Sequence, residues 1–329
     1  MVERVLDVVG IGNAIVDVLV QTGDDFLAAH GLAKGTMTLI DGEQAERLYA
    51  SMGRGLECSG GSAANTIAGL ASLGARAGYI GKVRDDALGD AFASDIQALG
   101  VAFETRPATA GASTARCLVL VTPDAQRTMQ TYLGASGGLG PEDIDEEMVA
   151  AAQVTYLEGY LWDPPGAKLA FRKAMQVAHG AGRMVALSLS DPFCVDRHRD
   201  EFRELVETGV DILFANEAEI TSLYQARDFD AALQHVRGLS QLCALTRSAK
   251  GSVVVYGEEI HVIDAEPIGH VVDTTGAGDL YAAGFLYGMT RGLDLRRCGQ
   301  VAGVCAAEVI GHVGARPQVA LSSLVAAIA

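Results

Sequence analysis

Short apolar runs alternate with amphipathic segments along most of the chain, most regularly after Pro141. A run of about four to eight apolar residues is typical of a buried strand, and apolar residues recurring every three or four positions are typical of a helix. Their alternation predicts an α/β fold, with a mainly parallel sheet covered by helices on both faces. The predicted strands of this sheet are Val5–Val9, Gly78–Gly81, Val154–Leu157, Met184–Leu189, Ile212–Ala215, Leu242–Thr246 and Ser252–Tyr256. The predicted helices are Ser62–Ala71, Ala87–Leu99, Ala167–His179, Glu201–Glu207, Glu217–Ala226, Ala231–Leu239, Ala277–Thr290 and Leu295–Val309.

Two segments of the first half, at about residues 16–57 and 101–135, depart from this alternation. Here apolar and β-branched residues alternate with small polar ones, which is typical of strands with one buried face. We interpret the two segments as parts of one small sheet lying over the main domain, so that residues 1–329 form a single domain with a lid. The strands predicted in the two segments are Val16–Val20, Met37–Ile40 and Arg127–Leu133, with a helix at Asp24–His30.

The composition excludes several classes of protein. Of the 329 residues, 49% are hydrophobic, a fraction too high for a disordered chain. The 41 acidic residues outnumber the 25 lysines and arginines and give a net charge of -16. Because nucleic-acid binding needs clustered lysine and arginine side chains, we expect no nucleic-acid partner. The 39 glycines exceed the average usage of about 7%, which indicates many tight turns or a backbone that approaches a ligand closely.

The cysteines and the hydropathy predict a cytoplasmic protein with no membrane partner. The six cysteines form no C-x-x-C pair, which is typical of isolated thiols in a reducing compartment. Cys58 adjoins a glycine-rich segment, where a packed thiol and a reactive thiol are both open interpretations. No apolar run approaches the ~18 residues of a membrane span, and residues 1–12 lack the pattern of a secretory leader.

The segment Asp273–Asp279 carries the strongest chemical signal. It follows a β-like stretch, His270–Val272, and opens a helix rich in small residues. Backbone N–H groups at a helix N-terminus bind anions through their free donors and the helix dipole. A carboxylate beside an anion site is unfavourable unless, like a general base in phosphoryl transfer, it takes a proton from an attacking hydroxyl. The alternative is a glycine turn in which Asp279 only caps the helix, and the spacing leaves both open.

A second and a third segment place polar side chains where a sugar can bind. In Ser59–Thr66, glycines allow the backbone to approach a ligand, and Asn65 offers both donors and an acceptor, although Ser62 can equally be a helix cap. Asn13 and Asp17 stand at the end of the first predicted strand, where a carboxylate can accept hydrogen bonds from two hydroxyls of a sugar. An aspartate at a strand end also has a purely structural interpretation.

The fourth segment begins at Asn216, directly after the predicted strand Ile212–Ala215. The carboxyl ends of parallel strands face the ligand crevice, and hydrated Mg²⁺ needs few protein carboxylates. Asn216 and Glu219 are therefore candidates to hold Mg²⁺ through water. The alternative is an acidic, capped helix start, which the helix dipole also favours.

Taken in this order, the four segments resemble the ribokinase-like (PfkB) family of carbohydrate and nucleoside kinases. The most specific match runs from Asp273 through Gly284, and the resemblance covers nearly the whole chain. It implies a three-layer α/β/α sandwich with a mainly parallel central sheet and a small β-sheet lid. Within the family the chain is most similar to the adenosine kinases, in the blocks Gly12–Asp17, Asp25–Leu27, Leu187–Phe193 and Val210–Glu217.

The resemblance implies a kinase of purine salvage that transfers the γ-phosphoryl group of ATP to the 5′-hydroxyl of a nucleoside, adenosine first. Its cofactors would be ATP and Mg²⁺, with a monovalent cation such as K⁺ as a further candidate. Asp279 would be the catalytic base, and Arg127 would neutralise phosphate charge from the lid. The anion hole would consist of Gly276, Ala277 and Gly278. The ribose would be held by Asn13, Asp17, Gly61, Ser62 and Asn65, and the base by Ile15, Met37, Met129, Leu133, Tyr160 and Leu161. ATP would contact Thr246, Ser248, Gly251, Thr275 and Gly278.

Two departures from the adenosine kinase pattern concern the residues that contact the nucleobase. The aromatic pair that sandwiches the base in animal adenosine kinases is Tyr160-Leu161 here, and a glutamine that contacts the base there is Met37 here. Two other functions therefore stay open. One is a sugar kinase of the same family acting on ribose, fructose or a related sugar, and the other is a catalytically silent nucleoside-binding protein. A monomer and a homodimer are both compatible with the sequence.

Overall fold

The apolar runs of the chain form two sheets in the computed structural model, which describes residues 6–124, 126–239 and 241–328. The strands, in chain order, are β1 (Leu6–Ile11), β2 (Ile15–Gln21), β3 (Met37–Leu39), β4 (Leu56–Gly60), β5 (Ala77–Ile80), β6 (Ala102–Phe103), β7 (Ala115–Val121), β8 (Arg127–Tyr132), β9 (Ala152–Glu158), β10 (Met184–Ser188), β11 (Ile212–Asn216), β12 (Leu242–Thr246), β13 (Ser252–Tyr256) and β14 (Glu259–Ile263). The larger sheet has the order β14-β13-β12-β11-β10-β9-β1-β5-β6, and the smaller one β3-β8-β7-β2-β4.

The larger sheet is parallel from β6 to β12 and antiparallel only where β13 and β14 extend its edge. Parallel strands buried on both faces consist of nearly continuous apolar residues, as in β1, where Val8 and Val9 face opposite sides. The chain starts at β1, builds outward through β5 and β6, and then returns to β9 on the other side of β1. The sheet order therefore reverses between β1 and β9, which is where open α/β sheets bind ligands.

Helices cover both faces of the larger sheet and complete the three-layer α/β/α sandwich that the sequence predicts. One core contains Val8, Ile67 and Phe285, and the other contains Val9, Trp162 and Phe171. The first core is covered by α3 (Ser62–Ser72), α4 (Ala87–Ala98), α10 (Ala277–Thr290), α11 (Leu295–Val309) and α12 (Leu321–Val325). The second is covered by α5 (Glu146–Ala151), α6 (Pro165–Gly180), α7 (Pro192–Thr208), α8 (Glu217–Tyr224) and α9 (Phe229–Val236).

Small residues bring α3, α10 and α11 close together beside the sheet. A Cβ atom at Gly284 of α10 would lie 2.7 Å from the Cα of Ala302 in α11, and one at Gly69 of α3 would lie 2.6 Å from Leu280 of α10. Side chains at these positions would push the helices apart, since protein interiors are close-packed. Part of the high glycine content thus serves helix packing and not ligand contact.

The smaller sheet places one face against helices and the other over the carboxyl ends of the large sheet. Val16, Val18 and Leu118 are buried against α1 (Asp24–Ala29) and α2 (Gly42–Met52). Alternate residues along the same strands, such as Ile15 and Val119, line a cavity. All its strands come from the two segments predicted to form the lid, extended to Ile15 and Gly60.

Several predictions of local structure need correction. The second lid segment starts too early, because β6 pairs with β5 in the large sheet. His270–Val272 form no strand, the helix at Glu201–Glu207 begins nine residues earlier at Pro192, and Val5 lies outside the described residues. The sequence interpretation missed α2, α5, α12, β4 and β14. In the part of the chain that the structure describes, no helix combines the length and the apolar character needed to cross a membrane.

Candidate active site

The carboxyl ends of β1, β9, β10, β11 and β12 open into one cavity beneath the lid. Its lining includes Asn13, Glu158, Ser188, Asn216 and Thr246, which stand at or just after the ends of those strands. The cavity volume is about 1810 Å³, larger than the roughly 300–1,000 Å³ typical of a site for one small molecule. It has room for two small ligands side by side.

Asp279 lies in the first turn of α10 and is held by α3. Its two carboxylate oxygens accept hydrogen bonds from Ser62 Oγ at 2.6 Å and from Asn65 Nδ2 at 3.0 Å. Burial raises the pKa of Asp279 to about 6, and these two hydrogen bonds act in the opposite direction. A carboxylate with this pKa is ionised at neutral pH, as a general base must be.

The loop before α10 leaves backbone donors free next to Asp279. Gly276 has φ 81°, and a Cβ atom there would lie 2.7 Å from the carbonyl oxygen of Ala315, so the helix starts on a residue that must be glycine. Ala277 N–H donates to Thr274 O at 3.2 Å. The next N–H groups, of Gly278 and Asp279, have no acceptor within the helix. Of the three predicted anion-hole residues, Gly276 thus sets the turn, Ala277 closes it, and Gly278 offers a free donor.

Arg127 reaches this loop from lid strand β8. Its Nη1 lies 2.6 Å from Asp273 Oδ2 and donates to Thr275 Oγ1 at 3.2 Å. Asp273 also accepts hydrogen bonds from the N–H groups of Thr275 and Gly314 and so fixes the loop. The Nη2 of Arg127 is buried and has no hydrogen-bond partner among the residues that the structure describes. A buried donor without a partner is unfavourable, which is the arrangement expected where a phosphate oxygen would bind.

Asp17 lies on the inner face of the lid and lines the cavity. A Cβ atom at Gly60 would lie 2.5 Å from Asp17 Oδ2, and one at Gly61, where φ is 98°, would lie 2.1 Å from Asn13 O. Burial raises the pKa of Asp17 to about 6, while the charges of Arg316 and Arg127 act against that increase. The structure therefore brings Asp17, Gly61 and Asn65, three of the residues predicted for a sugar, to the same cavity.

Asn13 is held by groups that sequence reasoning missed. Its Nδ2 donates to Glu158 Oε1 at 2.7 Å, and its Oδ1 accepts from Ser136 Oγ at 2.9 Å. Glu158 Oε2 accepts from Ala63 N at 2.8 Å, at the start of α3, where a helix dipole favours a carboxylate. Burial raises the pKa of Glu158 to about 7. A Cβ atom at Gly12 would lie 2.3 Å from Glu158 Oε2, so this glycine makes room for the carboxylate.

Asn216 and Glu219 form the helix cap that the sequence left open as an alternative. Glu219 Oε2 accepts from Asn216 N at 2.9 Å and Oε1 from Asn216 Nδ2 at 2.6 Å, and Glu219 N donates back to Asn216 Oδ1. Both residues nevertheless line the cavity, and burial raises the pKa of Glu219 to about 7. Among the described residues no cluster of three His, Cys, Asp or Glu could hold a metal directly. The positions of Asn216 and Glu219 fit an Mg²⁺ ion that is held mainly by phosphates and water.

Of the six residues predicted to contact the nucleobase, the structure brings five to the cavity. Ile15, Met37, Met129, Leu133 and Tyr160 line the cavity, and the Ser190 hydroxyl accepts a hydrogen bond from Tyr160 N. Leu161 instead points into the second core, where it is 1% exposed, because consecutive side chains of the one-turn helix Gly159–Trp162 diverge. Phe193 lines the same cavity and is 76% exposed, and sequence reasoning did not assign it a role.

Of the residues predicted for ATP, Thr246, Ser248 and Gly251 lie at or just after the end of β12, which three strands separate from β1, whereas Thr275 and Gly278 lie at the start of α10. Thr246, Ser248, Gly251 and Thr275 all line the cavity, together with residues 263–268. Gly251 has φ 78°, and a Cβ atom there would lie 2.0 Å from Ile263 O, so its glycine is required by the turn before β13. Gly278 and Asp279, whose N–H groups are the free donors at the start of α10, line the same cavity.

Cys58 pairs with Asp17 across strands β4 and β2 and lines the cavity. Burial raises its pKa to about 11. The thiolate is the reactive form, so at neutral pH Cys58 has the character of a packed thiol.

Comparisons with known proteins identify the family of the chain. The family model described as pfkB family carbohydrate kinase matches residues 50–320. The chain is 52% identical to the crystal structure of adenosine kinase from Sinorhizobium meliloti, with TM-score 0.90 over 99% of this chain and all of that one. It is 49% identical to a probable sugar kinase from Rhizobium etli CFN 42, with TM-score 0.91 over the same shares. An ATP-dependent ribose-1-phosphate kinase from Halopiger xanaduensis is 33% identical over 84% of this chain and 86% of that protein. The chain therefore belongs to the pfkB family of carbohydrate kinases, which are phosphotransferases acting on hydroxyl groups, and has the ribokinase-like α/β fold.

Proposed function

We propose that this kinase transfers the γ-phosphoryl group of ATP to the 5′-hydroxyl of a nucleoside, with adenosine as the preferred substrate. The observation that carries the proposal is the position of Asp279. This carboxylate lies beside the free N–H groups at the start of α10, within hydrogen-bond distance of the Asn65 side chain, which with Asp17 and Gly61 forms the proposed ribose wall. A substrate hydroxyl held against that wall would lie between a general base, Asp279, and an anion site.

In the proposed reaction the 5′-hydroxyl proton moves to Asp279 as the hydroxyl oxygen bonds to the γ-phosphorus. The bond from that phosphorus to its bridging oxygen breaks, and ADP leaves. Hydrogen bonds from Ser62 and Asn65 orient the carboxylate. Arg127 and the N–H groups of Gly278 and Asp279 face the charge that develops on the phosphoryl oxygens.

Kinases of this family use ATP and Mg²⁺. When bound, Mg²⁺ supplies positive charge to the phosphate oxygens. In this chain Asn216 and Glu219 are the residues proposed to contact its water shell, since both line the cavity and Glu219 is held by the helix cap. A monovalent cation near Asp273 stays a prediction.

Apolar surface on the inner face of the lid supports a nucleoside over a bare sugar. Met37, Met129 and Leu133 of the lid segments line the cavity, as does the exposed ring of Phe193 in the first turn of α7. A purine base can cover such side chains, because burial of apolar area stabilises a complex by roughly 25 cal/mol per Å². A bare sugar has little apolar area to offer. The resemblance to the adenosine kinase of Sinorhizobium meliloti points in the same direction.

The second candidate is a sugar kinase acting on ribose, fructose or a related sugar. The similarity to the Rhizobium etli sugar kinase and to the ribose-1-phosphate kinase of Halopiger xanaduensis favours it. Purine salvage, a cytoplasmic location, a single domain with a lid, and a monomer or homodimer complete the proposal for the nucleoside kinase.

The test is release of ADP from MgATP by the purified protein with adenosine, inosine, guanosine, ribose, ribose 1-phosphate and fructose, each at several concentrations. We expect the highest kcat/KM with adenosine. A higher kcat/KM with a sugar would replace the nucleoside by the second candidate. No ADP release with any acceptor, together with calorimetric binding of adenosine, would support a silent nucleoside-binding protein.

A further inference from the structure

Arg316 connects the proposed ribose wall to the segment after α11. It lines the cavity, and its neighbour Ala315 abuts Gly276 at the start of α10. The guanidinium Nη1 donates to Ser59 Oγ and lies 3.2 Å from Asp95 Oδ2, so it joins β4 to α4. These two contacts fix where the other nitrogens of Arg316 point.

The Nε of Arg316 donates to Asn65 Oδ1 at 3.4 Å. This contact is long for a hydrogen bond, but its donor carries a positive charge, which strengthens the interaction. On its other side Asn65 donates from Nδ2 to Asp279 Oδ2 at 3.0 Å. The amide is thus held between a cation that faces its oxygen and a carboxylate that faces its NH₂ group.

The order of these groups determines which way the amide points. In the opposite orientation, the Asn65 oxygen would face the Asp279 carboxylate and its NH₂ group would face the Arg316 guanidinium. Each contact would then be repulsive, because two acceptors or two donors would meet in a partly buried site. Without Arg316, only Asp279 would orient the amide, and a ribose hydroxyl offering both a donor and an acceptor would compete for it.

Arg316 is also held at an energetic disadvantage. Its Nη2 is buried with no hydrogen-bond partner in the described part of the chain, and desolvation lowers the pKa of Arg316. Desolvating a charged group in this way is unfavourable for stability unless the group gains other interactions. This arrangement is typical of a residue retained for the site and not for the fold.

We propose that Arg316 is a positioning residue that acts through Asn65 to hold the catalytic carboxylate of Asp279 in its reactive orientation. This inference rests on the proposed function, since it assigns Asp279 the role of base. It predicts that Arg316 contributes to kcat only while Asn65 is present. It also predicts little effect on ATP binding, because the residues predicted to contact ATP do not include Arg316.

The test is a double-mutant cycle with Arg316→Met and Asn65→Ala, measured as ADP release with saturating MgATP and the best acceptor of the wild-type protein. We expect Arg316→Met to lower kcat by about 10–100-fold, as loss of an orienting contact in a catalytic site does. In the Asn65→Ala background the same substitution should lower kcat by less than about threefold, because groups that act as a unit are non-additive. The KM for ATP should stay within about twofold in every variant.

Two further variants keep the result interpretable. Arg316→Lys retains the charge and can contact either Asp95 or Asn65 but not both, so we expect an intermediate kcat. Arg227→Met removes an arginine whose side chain is 87% exposed and should leave kcat unchanged. Thermal unfolding of each variant distinguishes a folding defect from a loss of catalysis. If Arg316→Met does not fold, the double-mutant cycle is run with Arg316→Lys.

The inference is overturned if the losses from Arg316→Met and Asn65→Ala multiply, or if Arg316→Met leaves kcat unchanged. It is also overturned if the KM for ATP rises in proportion to the loss of kcat, which would indicate general distortion of the site. A wild-type protein that phosphorylates no acceptor would instead contradict the proposed function. The two failures are therefore distinguishable.

Discussion

Arg127 of the lid and Asp273 of the loop before α10 form an ion pair at 2.6 Å. Both side chains are mostly buried, at 13% and 10% exposure, so solvent screens the pair less than a surface pair. The pair joins the lid to the segment that provides the anion site. The arginine that would contact a phosphate is therefore already oriented by the loop that would hold the same phosphate.

Replacement of Arg127 by methionine should reduce kcat by about 10²–10³-fold, the usual loss for one donor that faces developing charge. Arg127→Lys should retain part of the activity, because it keeps the charge but loses the planar fork. The measurement is steady-state ADP release, with thermal unfolding as a check of folding. A kcat within about threefold of wild type for Arg127→Met would exclude Arg127 from the phosphate site.

Asp279→Asn should lower kcat by about 10²–10⁴-fold, the usual contribution of a general base. Asparagine keeps the size of the side chain, and its amide oxygen can still accept one of the hydrogen bonds from Ser62 and Asn65. Binding of adenosine, measured by calorimetry, should therefore change by less than about tenfold. Near wild-type turnover in this variant would contradict the role of Asp279 as the base.

Asp17→Ala should raise the KM for the nucleoside far more than the KM for ATP. Asp17 lies on the lid wall next to Gly60 and Gly61, whereas Thr246 and Ser248 lie at or just after the end of β12. Loss of a carboxylate that accepts from hydroxyls removes about 1.5–3 kcal/mol, which corresponds to roughly 10–100-fold in KM. Initial rates with each substrate varied in turn measure both constants. Equal increases in the two would place Asp17 outside the sugar site.

The loop from Asp273 to Asp279 was predictable because its chemistry is local, with glycines and a carboxylate contiguous in the chain at a helix start. Asn65 is predicted from its position after a pair of glycines, and Asp17 from a predicted strand end, although the structure places Asp17 inside β2. Glu158 and Arg316 were missed because each acts through partners more than ninety residues away. No local pattern marks a residue whose role depends on such contacts.

The errors in the fold have a related cause. The two residues of β6 follow a helix and look like the start of the lid, but pairing with β5 places them in the large sheet. Leu161 and Tyr160 are adjacent and both apolar in character, and only the one-turn helix Gly159–Trp162 decides that their side chains lie on opposite sides. Sequence patterns give the type of an element more reliably than the partner against which it packs.

Catalytic activity should disappear as the pH falls through about 6. Burial raises the pKa of Asp279 and of Asp17 to about 6 each, and both roles require the ionised form. Other ionisable groups that sense Asp279 are Tyr156, Glu158, Tyr160 and Glu219. The plot of log kcat/KM against pH should have a slope above one below pH 6, and Asp17→Asn should reduce that slope towards one.

Unfolding at low pH through Asp17 and Asp279 would not explain this loss of activity. Because their pKa values are raised in the folded protein, the folded state binds more protons than the unfolded state between pH about 4 and 6. Their contribution to the free energy of unfolding therefore increases as the pH falls through that window. Circular dichroism at each pH checks that activity is lost before structure. An unchanged kcat/KM at pH 5 would contradict the assignment of both residues.

Gly61→Ala should impair both stability and activity, because its backbone and its surroundings each require glycine. Its φ of 98° is unfavourable for alanine by roughly 1–2 kcal/mol, and the added Cβ atom would lie 2.1 Å from Asn13 O. Gly111 is the matched control, since it has φ 94° and no heavy atom of the described residues lies within 4 Å of the added Cβ. Gly111→Ala should therefore lower the free energy of unfolding by only about 1–2 kcal/mol and leave kcat/KM near that of wild type.

Gly61→Ala should lose more stability than Gly111→Ala and raise the KM for the nucleoside, because moving Asn13 disturbs its hydrogen bond to Glu158. Equal losses of stability in the two variants, measured by urea unfolding, would mean that the contact with Asn13 relaxes and that only the backbone conformation matters.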